Sequence, residues 1–181
     1  MRDWPGRSHV ETLRVWPALA ETVLRIESLP ELFCGVFLLG SLSRGEGDAI
    51  SDVDLAAVTT PEEWQEAWDT RQQLSSGALV AFDRVEGRPG VAGHNWLTQD
   101  LVKVELLITA PGAMRLRGNA VVLLGQDDLL DAFEQLAPLS RQDVDAYAAR
   151  LRATNAISEI ERTYGDLIAL LRKETRPADD P

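Results

Sequence analysis

Apolar positions along the chain change their period several times, and each change marks an element. Val10, Leu13, Leu19, Val23 and Ile26 recur near helical spacing up to Leu29, and Ser8 with Glu11 has the form of a capping box. An opening helix bent at Pro17 is therefore expected. After Pro30 the run Val36-Phe37-Leu38-Leu39 is short, wholly apolar and cut off by Gly40-Ser41, which is the pattern of a buried central strand. Val53 to Thr59, rich in apolar and β-branched residues, predicts a second strand. Thr60 as cap and Pro61 in the first turn then open a helix through Trp64, Trp68, Arg71 and Leu74 that stops near Gly77. Leu79 to Val85 predicts a third strand, and Gly87, Pro89, Gly90 and Gly93 a turn-rich excursion. In the strand expected over Leu101 to Thr109, Lys103, Glu105 and Leu107 must face opposite Val102, Val104 and Leu106.

Val121 to Leu124 suggests an edge strand and Asp127 to Leu136 a short helix, with Asp127 and Asp128 at its start. Beyond Pro138 the pattern changes character. From Ser140, positions Val144, Tyr147, Leu151, Ile157, Ile160, Tyr164, Leu167 and Leu171 keep three- and four-residue steps, so a long amphipathic helix is expected, followed from Thr175 by an aperiodic tail. These boundaries divide the chain into a domain over 1–137, a helical appendage over 138–175 and a frayed tail over 176–181. A helix of that length on so small a domain is expected to cover its apolar face in a homodimer or on a partner chain.

Composition narrows the function classes. Forty-five per cent hydrophobic residues against 26% charged ones is the balance of a folded chain with a sizeable core. Eighteen basic and 29 acidic side chains leave a net charge of -11, a field that repels polyanions and argues against duplex nucleic acid as a partner. The longest apolar stretch, Leu32 to Leu39, is too short to cross a bilayer, and Met1 to Arg7 lacks the apolar core of a secretory signal, so no membrane partner and a cytoplasmic address are expected. Cys34 is the one cysteine, which excludes an intrachain disulfide; in its apolar run a buried, inert thiol is expected.

Candidate chemistry concentrates between Leu38 and Val58. Asp52 and Asp54, two apart on a strand, project their carboxylates from one face while Val53 and Leu55 point into the core. Two hard anions side by side repel each other, and Mg²⁺ relieves that repulsion while preferring carboxylate oxygens together with substrate phosphates. Gly40 and Ser41 follow a buried strand, where a missing side chain lets backbone amides approach a phosphate and a helix start adds its positive end. Arg44, one turn on, can set its guanidinium against phosphate oxygens. Glu105, flanked by apolar residues on a later strand, can join the Asp52 and Asp54 surface, and three acids can hold two metal ions. Lys103 shares that face, either towards phosphate or paired with a neighbouring acid.

The spaced combination Gly40-Ser41, Arg44-Gly45 and Ser51-Asp52-Val53-Asp54-Leu55 resembles the polymerase-β-type nucleotidyltransferase superfamily, in particular its minimal members and the small-molecule adenylyltransferases. The resemblance is tight from Leu38 to Val58 and looser to about Leu136. It implies an α+β fold of α/β character, with a mixed sheet flanked by helices. It also implies Asp52 and Asp54 as metal ligands, Glu105 as the third acid, and Gly40, Ser41 and Arg44 near the triphosphate.

The activity expected from it is Mg²⁺-dependent transfer of a nucleoside monophosphate, AMP from ATP, to a hydroxyl of a small molecule or protein. Asp52, Asp54 and Glu105 would be the catalytic set, with Glu105 or its water helping to deprotonate the acceptor. The alternative is a weakly active or inactive binding module of the same fold, an antitoxin or partner subunit acting through its carboxyl-terminal helix; it gains if Glu105 lies away from the two aspartates. Trp64 and Trp68, one turn apart, are expected in the core; Trp96 is a candidate for acceptor contact, and His94 beside it a loop residue.

Overall fold

The computed structural model describes residues 1–48 and 50–137, with the isolated positions Gln142, Ala146 and Ala149. The long helix expected from Ser140 and the tail after Thr175 lie outside the described residues. Among the described residues eight strands carry the fold: β1 (Gly35–Leu38), β2 (Val53–Val58), β3 (Val80–Arg88), β4 (Val91–Leu97), β5 (Lys103–Thr109), β6 (Arg115–Arg117), β7 (Val121–Leu124) and β8 (Glu134–Leu136). Six of them form one mixed sheet in the order β3-β4-β5-β2-β1-β7, in which β2 and β5 run parallel and the other neighbours antiparallel. β6 and β8 form a separate parallel pair.

Period-2 alternation divides the side chains of the sheet between two environments. On one face Val36, Leu38, Val53, Leu55, Ala57, Val104, Leu106 and Ile108 pack with Leu19, Val23 and Ile26 of α2 (Trp16–Glu27), and with Ala67 and Leu74 of α4 (Trp64–Asp69) and α5 (Arg71–Leu74). On the other, Phe37, Ala56 and Val58 meet Leu116 and Phe133, the two rings edge to face with centroids 5.2 Å apart. That cover comes from β6, from the 3₁₀ turn Asp127–Ala132 and from Phe133 after it, and it sits over one end of the face. At the other end stand Asp54, Glu105 and Asn95, in register across β2, β5 and β4.

Several elements differ from expectation for identifiable reasons. The opening segment is two helices, α1 (Arg7–Val10) and α2, because Pro17 sits in the first turn of α2, where a missing N–H removes nothing, rather than kinking a longer helix. Ser8 lies inside α1, whose N-cap is Gly6 at φ 88°; Glu11 pairs instead with Arg7, Oε1 to Nε 2.8 Å. Thr60 does accept the Glu63 N–H at 3.3 Å and donates to its carboxylate at 2.9 Å, but the helix proper starts at Trp64 and breaks at Thr70, whose hydroxyl bonds back to the carbonyls of Glu66 and Ala67.

The excursion over Gly87 to Gly93 is a hairpin turned at Pro89-Gly90, and Gly93 belongs to β4, so a whole strand lies where a connection is expected. Asp127 to Leu136 is a 3₁₀ turn followed by β8 rather than one helix; Leu129 and Leu130 pack on the Phe37 cluster and Phe133 is drawn into it. Cys34 stands exposed rather than buried. Its Sγ donates to the Val58 carbonyl at 3.4 Å, and partial desolvation pushes the thiol up, which lowers its thiolate fraction. Among the described residues no helix is long and apolar enough to cross a membrane.

Candidate active site

β1 ends at Leu38, and the chain turns into the single helical turn α3 (Gly40–Ser43), packed beside β2. Gly40 has φ 66°, and a Cβ built there would lie 2.0 Å from Asp54 Oδ2, so both conformation and space require glycine. The Leu39 N–H donates to the Asp54 carbonyl at 2.9 Å, which ties the bend to β2. At four residues α3 has little macrodipole, and what it offers a ligand is backbone approach. Its carbonyl at Gly40 receives the Ser43 hydroxyl at 2.9 Å and Arg44 Nη1 at 2.8 Å. Arg44 also pairs its Nε with Glu46 Oε2 at 2.6 Å, which leaves the guanidinium beside the bend and exposed. Ser41 Oγ lies 3.4 Å from Ser51 Oγ, across the loop that leads back into β2.

Asp54 and Glu105 are register partners on parallel neighbours, so their side chains rise side by side from one face. Burial, then the charges of Glu105 and Asp52, push the Asp54 carboxyl up to about 6, against the weaker opposing pull of Lys103 and Arg44. Lys103 pairs with both remaining acids: its Nζ is 3.1 Å from Asp52 Oδ2 and in close contact with Glu105 Oε1. The structure thus brings Asp52, Asp54 and Glu105 to one corner, with an ammonium between two of them. Among the described residues no three metal-ligating side chains converge tightly enough to form a ready cation site. The donor set nonetheless fits a hard divalent ion in type and charge: carboxylate oxygens only, an Asp54 carboxyl pushed up by burial and then by its two acidic neighbours, and the Lys103 ammonium already drawn in between Asp52 and Glu105.

A cavity of about 320 Å³ opens over this corner, lined by Asp54, Glu105, Gly40, Leu107, Arg84 and Asn95 among others. Asn95, 7% exposed, is a site residue that sequence reading misses, because the glycines leading into β4 have the pattern of a connection. The signal available is alternation: Asn95 and Gly93 share the parity that Glu105 and Leu107 have on β5.

The two residues beside Asn95 face the opposite, helix-covered side. Trp96 is 4% exposed and part of the core, so it is not placed for acceptor contact. His94, fully buried in β4 rather than in a loop, takes Asp83 Oδ1 at Nδ1 and Ser75 Oγ at Nε2, each at 2.8 Å. Burial holds its pKa below the usual histidine value, and Arg71, hydrogen-bonded twice to Asp83, holds that carboxylate below its own. This chain of bonds satisfies a buried ring on the far face and takes no part in the cavity. Trp64 and Trp68 stack with centroids 6.1 Å apart and pack on the core, as expected.

No protein-family model matches the chain, and no curated protein matches it significantly. Among solved structures it is similar to a STING-associated CdnE c-di-GMP synthase from Capnocytophaga granulosa, at 16% identity and TM-score 0.38 over 52% of this chain and 31% of that one. It is similar also to Cid1 in complex with its short product ApU, at 15% identity and TM-score 0.38 over 51% and 28% of the two chains. A third likeness, to Cid1 with the UTP analog UMPNPP, has 15% identity and TM-score 0.37 over 53% and 29%. The chain thus spans under a third of the length of these proteins. At that overlap the likeness decides nothing about the chemistry of the corner, which its own geometry must carry.

Proposed function

We propose that the chain is a Mg²⁺-dependent nucleotidyltransferase that moves a nucleoside monophosphate, AMP from ATP, onto the hydroxyl of a small molecule or protein. The observation that carries this reading is the registered pair Asp54 and Glu105 with the Gly40 bend closed against Asp54 Oδ2. Asp52, Asp54 and Glu105 would hold the metal, whose entry requires Lys103 to leave the place between Asp52 and Glu105. When bound, it supplies charge neutralisation at the attacking oxygen and at the leaving pyrophosphate. Gly40, Ser41 and Arg44 flank the side of Asp54 where the triphosphate would lie. The acceptor oxygen bonds to the α-phosphorus and the bond to the β-phosphate oxygen breaks with its electron pair. Pyrophosphate departs, and Glu105 takes the hydroxyl proton.

The binding-module alternative would gain from a Glu105 placed away from the aspartates; Glu105 is beside Asp54. To test the reading, thermal melts are recorded with Mg²⁺ and a nonhydrolysable ATP analogue, and pyrophosphate release from labelled ATP is measured with candidate acceptors. The wild type is expected to gain stability equivalent to about 2.7 kcal/mol at a hundredfold excess over Kd, and Asp54→Ala none. Equal pyrophosphate output from the two proteins defeats the proposal.

A further inference from the structure

The first nine residues add no strand to the sheet, yet they are tied to it at one end and to the loop after α3 at the other. At the sheet end the Arg2 N–H donates to the Leu123 carbonyl of β7 at 3.0 Å, and Arg2 Nη2 reaches the Gly125 carbonyl. Trp4, 5% exposed, is set into the helix-side core, with the Arg7 guanidinium 5.7 Å from its ring and 5.6 Å from that of Trp16. The loop end makes two contacts. Gly6 and Gly45 meet backbone to backbone: a Cβ at Gly6 would fall 2.6 Å from Gly45 Cα, and one at Gly45 would fall 3.0 Å from Gly6 Cα. Both have positive φ, 88° and 70°, so the approach needs glycine on each side. Three residues on, His9 Nε2 donates to the Gly47 carbonyl at 2.9 Å.

Glu46 stands between these two contacts. Its carboxylate takes Arg44 Nε at 2.6 Å, while Arg44 Nη1 donates to the Gly40 carbonyl at 2.8 Å. Two points therefore aim the guanidinium. One is Gly40, held by its bend against Asp54; the other is Glu46, whose neighbours on both sides are pinned by the amino-terminal segment. The charge so aimed reaches the corner, since Arg44 is one of the two cations that draw the Asp54 carboxyl down against burial. An ion pair as exposed as Arg44 with Glu46 holds little by itself, so what fixes it is the backbone that carries it. A guanidinium whose direction is set beforehand loses less freedom when it takes a phosphate.

Resting on the transferase reading, we propose that His9, with Gly6 before it, is a positioning residue for the triphosphate: it fixes the loop over 45–47 and, through Glu46, the aim of Arg44. His9 itself touches no substrate.

The test is a double-mutant cycle on the full chain, with the dissociation constant of a nonhydrolysable ATP analogue in Mg²⁺ read by isothermal titration calorimetry. His9 is exposed and belongs to neither core cluster, so its variants keep the fold. Arg44→Ala is expected to weaken binding about tenfold or more, and His9→Ala about threefold to tenfold. His9→Gln, whose amide can again donate to the Gly47 carbonyl, is expected to stay within about twofold of the wild type. In the Arg44→Ala background His9→Ala is expected to cost nothing further, because the group it positions is gone. A histidine that only supports the fold would weaken binding by the same factor in both backgrounds. Equal losses in the two backgrounds, undiminished affinity in His9→Ala or in Arg44→Ala, or no rescue by glutamine overturns the proposal. A wild type that does not bind the analogue with Mg²⁺ defeats the transferase reading itself, and is told apart because it shows before any substitution is made.

Discussion

Asp54 carries a charge that its surroundings resist. Its carboxyl is pushed up to about 6 by burial and by the neighbouring acids, well above the ordinary value near 3.9 that it has in the unfolded chain. The fold therefore favours the protonated form, and ionised Asp54 lowers stability. That penalty is absent below about pH 4, grows between pH 4 and 6, and is complete above 6. Two units of displacement set a ceiling near 3 kcal/mol, and the partial solvent access of the group brings the expected penalty to about 1–2 kcal/mol. Asp54→Asn is thus expected to melt a few degrees above the wild type at pH 8 and level with it at pH 4, by differential scanning calorimetry in the absence of divalent ions. Adding Mg²⁺ at pH 8 is expected to raise the wild type and not the variant. A variant that melts lower than the wild type at pH 8 would show that the ionised carboxylate is stabilised by its neighbours. At this scale the spacing from Gly40 to Asp54 made the pair legible, because a glycine bend and alternate acids are local patterns. Asn95 and the His94 chain were not, because their meaning depends on strands that only pairing brings together.

Among the described strands, β1, β2 and β5, whose apolar patterns are clean, matched expectation, and β4, dense in turn-forming residues, did not. β5 keeps its alternation, with Lys103 and Glu105 on one face and Val104 and Leu106 on the other, since burial of one face specifies the register. β4 was obscured because Gly90 serves a turn while Gly93 serves a strand, and local sequence does not distinguish the two. A Cβ at Gly93 would meet Arg84 Cβ at an ordinary 3.4 Å, and its φ is not positive, so neither a bend nor crowding requires glycine there. The junction of α3 with β2 gives the sharpest test at this scale. Gly40→Ala meets both a positive φ and Asp54 Oδ2 at 2.0 Å, so the bend or the carboxylate must shift. Urea unfolding is expected to show a loss of at least about 1–2 kcal/mol from the backbone alone, together with loss of the Mg²⁺-nucleotide melting shift. A variant with undiminished nucleotide binding would mean that the bend is not part of the site.

For the molecule as a whole, a net charge of -11 sets which ligands arrive easily. Mg²⁺ is attracted; the magnesium complex of a nucleoside triphosphate, still anionic, is repelled at long range and, on the proposed function, would be held only where its phosphates meet the corner itself. Salt screens the first effect over about 10 Å at 0.1 M and leaves contacts within the cavity largely intact. The Michaelis constant for ATP at saturating Mg²⁺ is therefore expected to stay flat or fall as potassium chloride rises from 20 to 200 mM, whereas a basic cleft built for polyanions would weaken steeply over the same range. In parallel, a 20-base-pair DNA duplex is expected to produce no mobility shift at 50 mM salt. A Michaelis constant rising severalfold with salt, or a duplex shift at low salt, would show that local basic groups such as Arg44 and Arg84 govern approach to the site against the field of the remaining acids.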